Sequence, residues 1–402
     1  MKFCAQRNLL SMLAKRVDGA LGKSTNLMDP AQYLALEAGD ERLTAMVARP
    51  EIIARATLDA GKLPGKEFLE ISSPGSCVLD GETAVPTMSM GDPQERVTAE
   101  FKPGKKPKAK EGEEPTLDET GMLLMTSPGV EGIEERHGLT CVDLPRKIKI
   151  DLDPSSKMTL RASDLLRYVK LAGIATGEPD PSYDGLLLRA RDGKVEMVTA
   201  TKNQIVVSTF EAEAPRKACF ILSYDLVSMI AGMLDPEADV EVYSSPAGGK
   251  RQVVFRQGIL FGGAPVGESL YALTPLDKFV KFDAILSLDS PFSCKANKQH
   301  AQMTCAKLGI LKVVKTEIVF DPARKVLVFT KHDVRGSQKI PMPMSDVKGD
   351  KLELAISSRH LKAAVDLAEQ DEIELRFSGR HSLAVVVIAP NVREYFAPFG
   401  EA

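Results

Sequence analysis

The chain repeats itself three times, and that repetition limits it to a small set of architectures. "YLALEAGDERLTAMVARPEIIARATL" from Tyr33, "GLLLRARDGKVEMVTATKNQIVVSTF" from Gly185 and "VKTEIVFDPARKVLVFTKHDVRGSQKI" from Val314 share one pattern. Each reads as an apolar strand, an Asp-containing turn, an alternating strand, a polar break and a third strand. Asp40, Asp192 and Asp321 stand where a tight connection needs a turn former. Leu43, Val195 and Val326 hold equivalent places, so the period is close to one third of the 402 residues.

A second element repeats with the first. "SYDLVSMIAGMLDPEADVEVYSS" matches "SSRHLKAAVDLAEQDEIELRFSG" as a Ser-led helix, an acidic turn and an alternating strand. In the first third the corresponding "PTMSMGDPQERVTAEF" predicts almost no helix. Leading helices are expected in "RNLLSMLAKRV", where Leu9, Leu10, Leu13 and Val17 share a face, in "ASDLLRYVKLAGIA", and in the less amphipathic "NKQHAQMTCAKLG". The reading is an α+β chain of three units, 1–147, 148–277 and 278–402, each running helix–strands–helix–strands. The extra length of the first unit lies in "KPGKKPKAKEGEEPTLDE", Lys102 to Glu119, which is too polar to bury a core and is expected as a mobile surface excursion.

Several function classes are excluded or unsupported. "GALGKSTN", Gly19 to Asn26, suggests a nucleotide phosphate loop, but the position where that motif needs its first Gly is Val17. The stretch also closes a helical pattern instead of following a strand. Six scattered cysteines, none in a C-x-x-C pair, read as reduced thiols of a cytoplasmic protein. The five histidines form no H-E-x-x-H and no Cys/His ligand spacing, and no nucleophile motif is present. No enzyme activity, metal or organic cofactor is expected, and no apolar run is long enough to span a membrane. The net charge of −3 confines any nucleic-acid surface to a local patch.

The three-fold repeat, the opening "MKF…LL", the loop "LGKSTNL", "YDGLLLRARDGKVEMVTAT" and the end "YFAPF" together resemble the bacterial sliding clamp, the β subunit of DNA polymerase III. That resemblance implies three clamp domains with antiparallel sheets outside and helices lining a ring. Two chains would close head to tail around duplex DNA, without sequence preference, as a homodimer. DNA polymerase and a clamp loader would dock through short linear peptides, and the chain would act as a processivity factor with no catalysis. A second implied reading is a clamp-like scaffold that recruits transcription or repair proteins.

Helices that line such a ring need one apolar face and one basic face. Arg7, Lys15 and Arg16 on the first helix, Arg167 and Lys170 on the second leading helix, and Lys295 and Lys298 in the last third are the candidates. Lys307, Arg359 and Lys362 extend the pattern. The resemblance adds Lys23, Ser24 and Thr25 as contacts to the DNA backbone. It places a partner-peptide pocket on Tyr183, Ala200, Ile205, Leu273, Tyr395, Ala397, Pro398 and Phe399, beside Lys202 and Asn203. Here the chain departs from the family: "TKNQ", Thr201 to Gln204, stands where many clamps have Asp-Gly-His-Arg, and "YFAPF" replaces a hydrophobic-Met-Pro-Met close. A divergent member is implied, of a kind carried by a phage or plasmid, with altered peptide preference.

Overall fold

The computed structural model describes residues 1–22, 32–104, 119–128, 133–142, 150–175, 185–191, 193–214, 217–245, 252–309, 315–333, 336–379 and 384–396. Lys23, Ser24, Thr25, Tyr183, Ala397, Pro398 and Phe399 lie outside the described residues, as do most of Lys102–Glu119 and Asp192.

The described helices are α1 (Arg7–Asp18), α2 (Gly81–Ser89), α3 (Ala162–Ala172), α4 (Tyr224–Met233), the single turn α5 (Asp283–Leu286), α6 (Lys298–Gly309) and α7 (Ser358–Leu367). None is long and apolar enough to cross a membrane. Except for α5, each helix continues directly from a strand. Lys2–Gln6, Met158–Arg161 and Phe292–Asn297 run into α1, α3 and α6, while Gly75–Asp80, Lys217–Ser223 and Leu352–Ser357 run into α2, α4 and α7. Three meanders follow the leading helices at the expected places: Tyr33–Ala38, Arg42–Ala48 and Ile52–Asp59; Gly185–Arg191, Lys194–Ala200 and Gln204–Glu211; Lys315–Asp321, Val326–Asp333 and Gly336–Pro343. All strand pairs among the described residues are antiparallel.

One expectation fails in the first third, where α2 is a nine-residue helix. Gly81 and Pro86 conceal it in the sequence. Asp80 caps it, its carboxylate accepting from the Thr83 amide at 3.2 Å. Gly81 is required because a Cβ there would lie 2.4 Å from Leu21 and 2.7 Å from the Gln32 carbonyl.

The chain forms two compact units, Met1–Leu166 with Asp225–Pro275, and Arg167–Tyr224 with Leu276–Ala402. The middle third is divided between them, and the cause is sheet continuity. In the first unit, Ile52–Asp59 pairs with Ala264–Leu273 in an unbroken register from Leu58↔Gly267 to Ile52↔Leu273, within a 13-stranded sheet. In the second, Gln204–Glu211 pairs with Val392–Phe396 from Gln204↔Phe396 to Ser208↔Val392, within a 9-stranded sheet. Gly267 sits where the backbones come closest, since a Cβ would lie 2.0 Å from the Thr57 carbonyl.

The cores follow the repeat. Leu9, Leu10, Leu13 and Val17 of α1 are fully buried on Arg42–Ala48 and Ile52–Asp59, where Ala45, Ala54 and Ala56 leave room for the helix. Each such leucine contributes roughly 1.5–3 kcal/mol. In the last third α6 and α7 pack side by side, α6 against Gly336–Pro343 and α7 against Ala384–Ala389. All six cysteines are free thiols, and Cys77, Cys141, Cys294 and Cys305 are buried.

Candidate nucleic-acid interface and partner cleft

The candidate cations separate into two classes. Arg7 is 2% exposed and belongs to the core. Its Nη2 and Nε donate to Glu95 Oε2 at 2.7 and 2.8 Å, and Nη1 donates to the Thr87 carbonyl at 3.1 Å. The expectation of a DNA contact is corrected at this residue: as the first residue of α1, beside Gln6, it points into the protein. Arg16 is half-buried and also committed. Its Nη1 donates to the Met233 carbonyl at 2.7 Å and to Gln257 Oε1 at 2.8 Å, joining the last turn of α1 to the last turn of α4. Gln257 in turn donates to the Asp235 carbonyl, so the contact is a closed polar cluster.

Four other candidates are neutralised or tied to the backbone. Arg167 makes a two-pronged pair with Glu369, with Nε to Oε1 at 2.7 Å. Lys295 lies on a strand, not a helix, and pairs with Asp346 at 2.7 Å. The Lys298 ammonium donates to the Ala368 carbonyl. Lys362 pairs with Asp366 on its own helix.

What remains exposed is regular. Lys15, Lys170 and Lys307 fall in the last turns of α1, α3 and α6, the leading helix of each third, and all three are exposed. Arg359 of α7 is exposed as well. A cation in a last turn also complements the helix dipole, worth about 0.3–1 kcal/mol at a surface. The lysines of three equivalent helices therefore keep both a structural and an electrostatic role open.

The partner-pocket candidates fare unevenly. Ala200, Ile205 and Tyr395 meet in one buried apolar cluster with Leu187, Val198 and Phe282. Leu273 does not join them; it is fully buried in the first unit, opposite Ile52. Lys202 and Asn203 are exposed on the Thr201–Gln204 turn, closed by the Thr201 amide donating to the Gln204 carbonyl at 2.7 Å.

The cluster is closed by a segment that the sequence reading did not single out. Phe279, Val280, Ile285 and Leu286 pack over it, and Phe282 is only 3% exposed within it. Phe279 meets Phe282 edge-on with centroids 5.8 Å apart. Arg189 lies over the Phe282 ring at 5.1 Å, held by Glu196 at 2.7 Å and Asp283 at 2.8 Å. The signal was present as the apolar spacing of "LDKFVKFDAIL", Leu276 to Leu286. On the opposite face of the Tyr395 strand, Glu394 is fully buried, with Gln204 donating to Oε1 and no partner for Oε2 among the described residues. Burial pushes its carboxyl up to about 8.

The sequence matches no family model and no curated protein. Solved structures do match over the full length. The DNA polymerase sliding clamp from Bacillus subtilis aligns with TM-score 0.78 at 14% identity, covering 100% of both chains. The fold is that of a sliding clamp. DNA polymerase III subunit beta from Pseudomonas aeruginosa (TM-score 0.76, 13% identity) and from Thermotoga maritima (0.75, 13%) likewise cover 100% of both chains. At this identity the sliding-clamp fold is what is shared.

Proposed function

We propose that this chain is a DNA sliding clamp, a divergent relative of the β subunit of DNA polymerase III. Its thirds, 1–147, 148–277 and 278–402, act as three clamp domains, and two copies close head to tail around duplex DNA in the cytoplasm. The ring tethers DNA polymerase as a processivity factor, is placed by a clamp loader, and performs no chemistry. The observation that carries this reading is the full-length structural match to polymerase clamps of several bacteria. The last-turn lysines of α1, α3 and α6 supply a sparse basic surface, suited to a ring that must slide.

Negative-stain electron microscopy with solution mass is the first test, and closed rings at twice the chain mass are the expected result. Compact particles at the chain mass would remove the ring. Protein loaded on circular duplex should be released when the circle is cut. Replacing Lys15, Lys170 and Lys307 together by Ala should lower the slope of log affinity against log salt by about 2 to 3, from about 0.9 per phosphate contact. An unchanged slope would show that these lysines only cap helices.

The closed apolar cluster favours a second reading, a clamp-like scaffold with its own partners in transcription or repair. A clamp-binding peptide of the usual bacterial type is expected to bind the wild-type chain weakly, because Phe282 fills the site. Phe282→Val should bind it at least about tenfold more tightly, roughly 1.4 kcal/mol. Ordinary affinity in the wild type would remove the basis for this reading. Stimulation of polymerase on primed circular DNA then separates the two roles.

A further inference from the structure

The two internal junctions follow one rule. The outer strand of each leading meander receives the last strand of the next third: Ile52–Asp59 takes Ala264–Leu273, and Gln204–Glu211 takes Val392–Phe396. The third outer strand, Gly336–Pro343, has Val326–Asp333 on one side and no strand on the other among the described residues. The remaining last strand, Glu134–Val142, meets Gly75–Asp80 through Cys141 and Val142, and among the described residues Glu134–Thr140 keeps an open edge. Ile133, just before that strand, is 70% exposed, and Met122, opposite Thr140 on the next strand inward, is 46% exposed.

Register aligns the three outer strands. Asp59, Glu211 and Pro343 lie opposite Arg42, Lys194 and Val326, so the Gln204–Ser208 ladder corresponds to Gly336–Ile340. Two prolines follow immediately. Pro341 and Pro343 face Val328 and Val326, and since a proline cannot donate to a ladder, their nitrogens belong to the open edge. The same alternation places the N–H groups of Ser337 and Lys339 on that edge.

We propose that Pro341 and Pro343 set the register and limit the strength of the contact between two copies of this chain. Glu134–Val142 of a second copy pairs along Gly336–Ile340, draws its N–H donors from Ser337 and Lys339, and stops at the prolines. The inference rests on the ring reading above. Lys339 stands on one edge and Glu135 on the other, while Glu134 is already paired with Arg136 of its own strand at 2.7 Å. The internal outer strand Ile52–Asp59 has no proline of its own and pairs from Ile52 to Leu58, its ladder ending two residues short of Pro265 on the other strand. The prolines also guard the exposed edge against indiscriminate pairing.

Sedimentation equilibrium of the full chain tests this. Pro341→Thr with Pro343→Thr restores two edge donors and should tighten the dimer at least about tenfold, at roughly 1 kcal/mol per added hydrogen bond. Lys339→Pro should weaken it by a similar factor, while Lys339→Thr, which keeps the N–H, should weaken it far less. A wild-type dimer indifferent to all three variants, or one equally weakened by Lys339→Thr and Lys339→Pro, overturns the proline-limited ladder and leaves the ring standing. A wild-type chain that stays monomeric, as do its variants, overturns the ring reading itself.

Discussion

Arg7→Met is expected to destabilise the first compact unit by about 3–5 kcal/mol while leaving the DNA affinity of the folded protein unchanged. The side chain of Arg7 is 3% exposed and that of Glu95 is 12% exposed, so truncating the cation strands a carboxylate away from water. The Thr87 carbonyl loses its donor at the same time. Arg7→Lys should recover little, because one ammonium cannot reproduce a planar fork that reaches both Glu95 and Thr87. Removing both charges with Arg7→Met and Glu95→Gln should restore part of the loss, since the uncompensated charge is what costs most. Urea midpoints of the four proteins check this. Weakened DNA binding by Arg7→Met at unchanged stability would return Arg7 to the nucleic-acid surface.

The error at Arg7 shows where sequence reasoning stops. Helical periodicity correctly assigned Leu9, Leu10, Leu13 and Val17 to the buried face, because burial of apolar side chains is what creates that periodicity. A charge carries no such mark. Arg7, Arg16 and Lys15 look alike in the sequence, and only the distant partners Glu95, Met233 and Gln257 separate the committed side chains from the exposed one. The same holds for Arg167, whose partner Glu369 lies in a different third.

The repeats were legible because each meander had to satisfy the same alternation, and the strands fell where they were expected. The helix α2 was not, because Gly81 and Pro86 lower helix propensity while the Asp80 cap and the close approach of Leu21 settle the matter in three dimensions. The partner cleft was half legible. Ala200, Ile205 and Tyr395 do converge, but Phe282 reaches them from the Leu276–Leu286 segment, whose apolar spacing marks it for burial without saying which cluster it covers. Glu394 was invisible for a similar reason: in "NVREYF" it reads as the solvent side of an edge strand, whereas pairing with Gln204–Glu211 covers it.

Glu394 carries the second large effect. Its ordinary value is 4.5, and burial raises it to about 8 in the folded chain, so folding retains a proton that the unfolded chain gives up in between. The sign follows directly. The carboxyl costs least below pH 4.5, where both states hold the proton, and stability then falls as pH rises toward 8 by up to about 1.4 kcal/mol per unit. Glu394→Gln cannot ionise. It should match the wild type within about 1 kcal/mol at pH 5, where its extra buried N–H lacks an acceptor, and exceed it by a few kcal/mol at pH 8.5. Urea unfolding at pH 5, 7 and 8.5 reads the difference, and a difference that does not grow with pH would show that this carboxyl does not titrate with folding. Glu394 sits opposite Val206 in the ladder that joins the middle third to the last, so its ionisation strains that junction first. Amide exchange at Val206 and Glu394 should therefore rise between pH 7 and 8.5 faster than the exchange chemistry alone requires, and Glu394→Gln should abolish the excess.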